Sequence, residues 1–181
     1  MNIALYGGSF DPPHAGHVRI VNEALNTLPI DYLVIIPAWR NPFKPGTRAD
    51  GNTRLTWLKE IFAQEKRVIV SDFELSCGRS MYTIETVHHF LRENTHLYLI
   101  IGADNLEKLH LWHRFDELNA LVQWVVATRN NISIPPDMIR LEVDIPVSST
   151  EFHAIDAPLG LSPEIETKII TYYKEHNESK N

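Results

Sequence analysis

Two histidines and a pair of glycines lie close together near the start of the chain. The stretch reads Gly7-Gly8-Ser9-Phe10-Asp11-Pro12-Pro13-His14-Ala15-Gly16-His17. Glycine lets the main chain turn sharply and approach a ligand closely, and unpaired N–H groups at the start of a helix attract anions. Histidines three residues apart on a first helical turn share one face. The stretch therefore predicts an anion site beside two imidazoles.

A phosphate-rich ligand suits these residue types. Transfer of a phosphoryl or nucleotidyl group requires positioning and stabilisation of charge on the phosphorus oxygens, with little covalent help from the protein. His14 and His17 can donate hydrogen bonds whether charged or neutral, and hydroxyls at Ser148, Ser149 and Thr150 are further donors. A zinc pair is the competing interpretation of His-x-x-His, but no third ligand stands at a recognisable spacing. We therefore expect no metal site made by the protein alone.

The histidine pair must be positioned by the elements around it. Ile3 to Tyr6 is a short apolar run typical of a buried strand, and apolar residues at helical spacing predict a helix over about 14–28. Further strands are predicted at 32–36, 68–70, 97–101, 122–127 and 139–143. Further helices are predicted after a cap at Asn52 or Thr53, after a cap at Thr83, after Gly102-Ala103-Asp104, and over about 163–175. Residues 74–81 are predicted to be irregular, and the tail after 175 to be frayed.

Buried-type strands that alternate with helices favour an α/β fold, a Rossmann-like doubly wound parallel sheet with helices on both faces. Residues 1–181 contain no repeat and no linker, so one domain is expected. In such sheets, ligands bind beyond the carboxyl ends of the strands, near the point where strand order reverses. The glycine pair, residues 102–104 and residues 148–150 are predicted to meet along that edge.

Composition limits the partners. The formal net charge is -6, which argues against a general affinity for nucleic acid. Cys77 is the single cysteine, so no internal disulfide forms, as expected in a reducing compartment. No apolar run approaches membrane-spanning length, and no signal peptide is recognisable. A cytoplasmic protein is expected, and its oligomeric state is left open.

The opening motif resembles the signature of the nucleotidyltransferase superfamily, whose mark is His-x-Gly-His. Within that superfamily, the chain is most similar to the bacterial nicotinate-nucleotide adenylyltransferases, along nearly its whole length. The further matching segments are Pro42-Phe43-Lys44, Tyr82-Thr83-Ile84-Glu85-Thr86, Gly102-Ala103-Asp104, Leu111-Trp112 and Ser148-Ser149-Thr150. The resemblance implies that the phosphate of nicotinate mononucleotide attacks the α-phosphorus of ATP. The products would be nicotinate adenine dinucleotide and pyrophosphate, in NAD synthesis.

The same resemblance implies roles for individual residues. His14 and His17 would stabilise the phosphates in the transition state, and Mg²⁺ would travel with ATP, not sit in a protein cage. The implied ATP-binding residues are Gly7, Gly8, Ser9, Phe10, Asp104, Ser148, Ser149, Thr150 and His153. Those implied for the mononucleotide are Lys44, Tyr82, Thr83 and Trp112. Trp112 would stack on the pyridine ring, main-chain N–H groups near Tyr82 and Thr83 would bind the carboxylate, and Lys44 would reach the phosphate.

His153 marks a departure from the family pattern, because arginine is usual at that position. Arginine is always charged and binds phosphate with two parallel hydrogen bonds, whereas histidine does not. We expect His153 to take over the phosphate contact in a partly protonated form. Alternatives stay open: the acceptor is nicotinamide mononucleotide or another phosphorylated compound such as pantetheine phosphate, or the chain is a catalytically weakened nucleotide-binding regulator.

Overall fold

A computed structural model describes residues 1–39, 49–128, 132–143 and 158–178, with side chains through 176. The described strands are β1 (Asn2–Gly8), β2 (Tyr32–Pro37), β3 (Val68–Val70), β4 (His96–Gly102), β5 (Val122–Thr128) and β6 (Ile139–Glu142). The described helices are α1 (Ala15–Thr27), α2 (Gly51–Ile61), α3 (Phe73–Ser76), α4 (Thr83–Phe90), the 3-10 helix η1 (Ala103–Leu111), α5 (Phe115–Leu121) and α6 (Pro163–Glu178).

The strands form one parallel sheet in the order β3-β2-β1-β4-β5-β6. The chain builds outward from β1 to β3, then returns to the other side of β1 with β4. Strand order therefore reverses between β1 and β4, which is where parallel α/β sheets open a crevice for ligands. The predicted Rossmann-like, doubly wound parallel sheet is confirmed.

Helices cover both faces of the sheet because successive side chains of a buried strand point to opposite sides. In β1, Ala4 and Tyr6 join a core that includes Val21 of α1. Leu5, between them, joins a second core that includes Ile84 of α4. Both faces are thus apolar, as the continuous hydrophobic runs indicated. The helices packed on both faces hold the strands in place, so that the carboxyl ends of the strands lie along one edge of the sheet.

The helix α6 adds a third, smaller core on the α2 side. Leu159, Ile169 and Tyr173 pack there with Ala49 and Trp57. The predicted start of this helix at Pro163 is confirmed, and the helix runs to Glu178 instead of ending near 175. Within the described parts of the chain, no helix is long and apolar enough to cross a membrane.

Several predicted element boundaries were wrong. Asp50, not Asn52 or Thr53, caps α2, because its carboxylate accepts the Thr53 N–H at 3.0 Å. Tyr82 is the capping position of α4, so Thr83 is its first helical residue. The segment 74–81, predicted to be irregular, begins within the short helix α3, so its first three residues are helical.

The segment after β4 also differs in kind from a regular helix. It is the 3-10 helix η1, and the separate helix α5, which had not been predicted, follows it. Arg114 lies between them with a φ of 55°, a left-handed conformation that breaks the helical path. The break lets α5 pack through Leu118 on the same core as β4 and β5.

Candidate active site

A cleft of about 320 Å³ lies at the carboxyl edge of the sheet, above the reversal point between β1 and β4. The described residues that line it come from the ends of β1, β4 and β5, from the start of α1, and from the end of the β6 segment. They are Tyr6, Gly7, Gly8, Ser9, His14, Gly16, His17, Ile20, Gly102, Asp104, Asn105, Ala127 and Val143. The structure thus brings together most of the described residues predicted to handle ATP.

The imidazoles of His14 and His17 are stacked, with ring centroids 3.7 Å apart and planes 28° from parallel. Nδ1 of His14 accepts the Gly16 N–H at 3.1 Å, and Nδ1 of His17 accepts the His14 N–H at 3.1 Å. A neutral imidazole has one N–H donor and one acceptor. Since both Nδ1 atoms accept, each neutral ring carries its proton on Nε2 and is a hydrogen-bond donor at that atom.

The same two hydrogen bonds cap the helix. His14 is the residue before α1, and with His17 it satisfies two main-chain N–H groups that the helix leaves unpaired. The two nitrogens of each ring therefore differ in role. Nδ1 accepts a hydrogen bond from a main-chain N–H group at the start of α1, and Nε2 of the neutral ring is a hydrogen-bond donor. Both histidines line the cleft, where the positive end of the α1 dipole would attract an anion.

Phe10 has a different location from the one expected of a ligand-lining residue. Its side chain is buried and packs against His17, with centroids 4.8 Å apart, and against Tyr6 at 5.4 Å. Gly8 makes room for it, because a Cβ at that position would meet the Phe10 ring at 3.1 Å. The φ of Phe10 is 48°, which is a strained backbone conformation for a non-glycine residue. Phe10 therefore supports the His17 ring, and its assignment to ATP binding stays a prediction.

Asp104 lies where β4 passes into η1, and its carboxylate folds back over the main chain. A Cβ on Gly102 would lie 2.4 Å from Asp104 Oδ1, so the close approach depends on glycine there. The Asn105 side chain donates to Gly102 O at 3.1 Å and braces the turn. Asp104 is the carboxylate among the described lining residues of the cleft, and it is an acceptor for hydroxyl or amino groups of a ligand.

Three of the residues predicted to bind the mononucleotide are described: Tyr82 and Thr83 lie at the start of α4, and Trp112 lies at the end of η1. Tyr82 is 56% exposed, and its ring stacks on that of His113 with centroids 4.2 Å apart. Trp112 is half-buried and meets Trp124 edge-on at 6.2 Å. The described lining residues of the cleft include neither Tyr82, Thr83 nor Trp112.

Charge at the start of α4 is arranged around Glu85. Its carboxylate accepts the Tyr82 N–H at 2.9 Å and pairs with Arg79 at 2.6 Å. The Arg79 hydrogen bond, followed by the Tyr82 N–H, lowers the pKa of Glu85 to about 2. One of the two main-chain N–H groups predicted to bind the nicotinate carboxylate is therefore engaged by the protein's own carboxylate. The roles of Tyr82, Thr83 and Trp112 in binding the mononucleotide stay predictions.

Several predicted site residues lie outside the described ranges. They are Lys44, Ser148, Ser149, Thr150 and His153. Their assignments to the phosphate groups stay predictions.

Sequence reasoning missed Arg54, the largest fully buried side chain described. Its guanidinium donates to Ser9 O at 2.5 Å, to Ala38 O at 2.8 Å and to Ala49 O at 3.2 Å. Burial lowers its pKa, and the nearby Asp11 carboxylate opposes that effect. A signal existed, since Arg54 stands three residues before Trp57 and four before Leu58, on the buried stripe of α2.

No group of three or more His, Cys, Asp or Glu side chains within the described ranges is arranged to hold a metal ion. Asp104 is the only side chain with a carboxylate among the described lining residues of the cleft. Mg²⁺ that enters with ATP, with its ligands supplied by phosphates and water, stays a prediction.

Comparison with known proteins gives consistent relationships. The cytidylyltransferase-like family matches residues 5–155. A Nitratiruptor relative named "Probable nicotinate-nucleotide adenylyltransferase" is 45% identical over 176 residues, covering 96% of this chain and 99% of its own. A Sulfurimonas denitrificans relative of the same name is 46% identical, covering 97% and 96%. A Campylobacter jejuni relative, again of that name, is 43% identical, covering 96% and 97%.

Two solved structures share the fold. A Plasmodium falciparum nicotinic acid mononucleotide adenylyltransferase complexed with NaAD superposes with a TM-score of 0.77 at 19% identity, covering 96% of this chain and 97% of that one. The same enzyme complexed with APC gives a TM-score of 0.74 at 18% identity, with the same coverage. At this identity the likeness concerns the fold alone.

Proposed function

We propose that this chain, which belongs to the cytidylyltransferase-like family and within it to the nicotinate-nucleotide adenylyltransferases, transfers the adenylyl group of ATP to nicotinate mononucleotide. The products are nicotinate adenine dinucleotide and pyrophosphate. One observation carries the proposal at the level of chemistry: two stacked histidines, whose Nδ1 atoms both accept main-chain N–H groups, line the cleft beside a glycine turn.

The reaction is a direct displacement. A 5′-phosphate oxygen of the mononucleotide forms a bond to the α-phosphorus of ATP. At the same time, the bond from that phosphorus to the oxygen that bridges the α- and β-phosphates breaks. The electron pair leaves with pyrophosphate, so negative charge grows on the α-phosphoryl oxygens and on the departing group. Nε2–H groups of His14 and His17 donate to these oxygens, and the positive end of the α1 dipole favours the negative charge. Neither histidine needs to gain or lose a proton.

Other residues complete the proposed site. Gly7, Gly8 and Ser9 admit the nucleotide close to the main chain, and Asp104 accepts hydrogen bonds from its adenosine part. Ser148, Ser149, Thr150 and His153 bind the triphosphate, while Lys44 binds the mononucleotide phosphate. Mg²⁺ enters with ATP and supplies neutralisation of phosphate charge. Tyr82, Thr83 and Trp112 receive the pyridine ring and its carboxylate.

The acceptor is tested by following pyrophosphate release with ATP and Mg²⁺ and each of three acceptors: nicotinate mononucleotide, nicotinamide mononucleotide and pantetheine phosphate. We expect the highest kcat/KM with the first. A preference for nicotinamide mononucleotide or pantetheine phosphate would contradict the proposed acceptor and leave the chemistry intact. ATP binding without release for any acceptor would identify a nucleotide-binding regulator instead.

His17→Asn separates the two functions of that histidine. Asparagine keeps an acceptor at the bond position of Nδ1, so the His14 N–H remains capped, but it has no group at the position of Nε2. Loss of one such donor lowers kcat by about 100- to 1,000-fold, and we expect the melting temperature to change little. His17→Ala removes both atoms and should lower stability as well as kcat.

His96→Asn is the matched control. His96 begins β4 at the amino end of the sheet, away from the cleft, and its side chain is exposed. It should retain the wild-type kcat. If His17→Asn also retained full activity, donation from Nε2 would not contribute to the reaction.

A further inference from the structure

Three side chains from distant parts of the chain meet in a buried polar network beneath the candidate site. We call Asp11, Arg54 and Tyr173 the Arg54 network. They come from the turn after β1, from α2 and from α6 respectively. Within the described residues, no buried side-chain nitrogen or oxygen lacks a hydrogen-bond partner, so the network is fully paired there.

Arg54 reaches three separate segments of main chain. Its Nη1 donates to Ser9 O at 2.5 Å, in the glycine turn that lines the cleft. Its Nη2 donates to Ala38 O at 2.8 Å, just after β2, and its Nε donates to Ala49 O at 3.2 Å, just before α2. Ala38 and Ala49 flank the segment that contains Lys44. One planar guanidinium thus joins the glycine turn to both flanks of that segment.

Asp11 and Tyr173 extend the same connection. Asp11 Oδ1 accepts the Ala49 N–H at 3.2 Å and a hydrogen bond from the Tyr173 hydroxyl. Burial, reinforced by the Asp11 carboxylate, raises the pKa of Tyr173, so the hydroxyl keeps its proton and remains a donor. Asp11 lies two residues after Ser9 and three before His14 in the sequence. The helix α6 therefore supports the main chain that carries the catalytic histidines.

We propose that Arg54 is a positioning residue for adenylyl transfer, which holds the ATP-binding glycine turn in fixed relation to the flanks of the segment carrying Lys44, with Tyr173 of α6 stabilising that arrangement through Asp11. The inference rests on the proposed function, because only a two-substrate transfer requires the two binding segments to keep one relative position. Reacting atoms must approach within about 3–3.5 Å in line, and a misplacement of about 1 Å costs up to about 100-fold in rate.

The chemistry of arginine explains why this position would not accept a simple substitute. Its fork carries five N–H donors in fixed directions, whereas lysine offers a compact charge with three rotatable donors. Lysine at 54 can satisfy one carbonyl well but not three segments at once. Methionine fills a similar volume and donates nothing. A graded series of variants therefore distinguishes positioning from simple filling of space.

The test measures kcat and KM for both substrates in Arg54→Lys, Arg54→Met and Tyr173→Phe, well below each melting temperature. We expect kcat/KM to fall by about 10- to 100-fold for Arg54→Met, with partial rescue in Arg54→Lys and a smaller loss in Tyr173→Phe. Matched controls are Arg67→Met and Tyr172→Phe. Arg67 also donates to main-chain carbonyls, at Leu25 and Ile30, but at the amino end of the sheet, and Tyr172 is the neighbour of Tyr173 on α6.

The controls should lose stability at most, with kcat/KM close to the wild-type value. The Arg54 and Tyr173 variants contradict the proposal if they also retain kcat/KM within about twofold of the wild-type value, which is the ordinary variation between distant sites. The Arg54 network would then have only a structural role. If Arg54→Met does not fold, Arg54→Lys and Tyr173→Phe decide by the same criterion.

A failure of the proposed function would look different. If the wild-type chain releases no pyrophosphate with any acceptor, ATP affinity measured by calorimetry replaces kinetics as the readout. Weaker ATP binding in Arg54→Lys and Tyr173→Phe, with the controls unchanged, would still support positioning of the glycine turn. Unchanged ATP affinity in both would overturn it.

Discussion

At the scale of single residues, the carboxylates of Glu74 and Glu85 show how local surroundings set opposite responses to pH. Glu74 accepts a hydrogen bond from the buried Thr86 hydroxyl at 2.6 Å, yet burial dominates and raises its pKa above 4.5. Glu85 lies nearby on α4, but Arg79 and the Tyr82 N–H lower its pKa to about 2. The two residues contribute to stability over different ranges of pH.

Glu74→Gln should stabilise the protein increasingly as pH rises. A carboxyl with a raised pKa binds its proton more tightly in the folded state, so its favourable contribution is complete below 4.5 and is lost as pH rises through the folded-state pKa. Glutamine does not titrate and keeps an oxygen for the Thr86 hydroxyl. Urea unfolding of both proteins from about pH 4 to about pH 8 should therefore show a difference that grows and then levels off. A constant difference would contradict the prediction.

Glu85→Gln should behave in the opposite way. Because the pKa of Glu85 is lowered to about 2, its contribution is present above 4.5 and is lost as pH falls. We expect the variant to be less stable than wild type near neutral pH, and the deficit to shrink between about pH 5 and about pH 3. Arg79→Gln removes the first cause of the lowered pKa and serves as the control. A deficit that stayed constant down to low pH would show that the Arg79 pair is not responsible.

The residues of the site differ in how far the sequence could reveal them. His14, His17 and the glycine pair could be found because their types and spacing already describe an anion site. The burial of Phe10 against His17 could not, since a phenylalanine after a glycine turn is equally consistent with a ligand contact. Arg54 was passed over because arginine on an amphipathic helix is usually at the surface. Its burial depends on the carbonyls of Ser9 and Ala38, which are distant in the sequence, as well as on that of Ala49.

At the scale of elements, the start of α1 depends on a contact with the segment before α6. Ala15 N donates to Leu159 O at 2.8 Å. Gly160 follows with a φ of +68°, and a Cβ there would meet the Ala15 Cβ at 2.9 Å. The Glu166 carboxylate accepts the N–H groups of Leu159 and Leu161 at 2.9 and 3.1 Å and fixes this turn. The helix that carries the histidines therefore begins against a turn made by residues almost at the other end of the chain.

Gly160→Ala should test that contact, with Gly78→Ala as its control. Both glycines have positive φ, but nothing lies within 4 Å of a Cβ at Gly78. Backbone strain alone costs about 1–2 kcal/mol, and overpacking against Ala15 adds about 1–3 kcal/mol. Urea unfolding should show the larger loss for Gly160→Ala. Equal losses in the two variants would mean that Ala15 and its helix shift without cost.

Element types followed from the sequence more reliably than element ends did. Continuous apolar runs predicted the buried strands because both faces of this sheet are covered. The cap of α2 was misplaced, since Asp50, Asn52 and Thr53 are all good capping residues and only tertiary contacts select one. The helix η1 was not distinguished from an α-helix, because the same apolar spacing fits both over a few turns.

At the scale of the whole molecule, the two halves of the chain share their cores. One core contains Leu33 of β2 and Val21 of α1 together with Val125 of β5 and Leu141 of β6. The central strand β1 is bonded to β2 on one side and to β4 on the other. Neither half can separate without exposing apolar surface that the other half covers. One domain is expected over residues 1–181, and we therefore expect it to unfold in one cooperative transition.

The dinucleotide product should therefore stabilise the molecule as a unit. It would bind at the reversal point between the two halves, and a ligand present at about 100 times its Kd adds about 2.7 kcal/mol to the free energy of unfolding. For a chain of this size that corresponds to a rise of about 5–11 °C in the melting temperature. Calorimetry with nicotinate adenine dinucleotide should show one transition that moves upward as a whole, while free nicotinate, which lacks phosphates, should leave it in place. Two transitions, of which the ligand moves only one, would show that the halves unfold independently despite their shared cores.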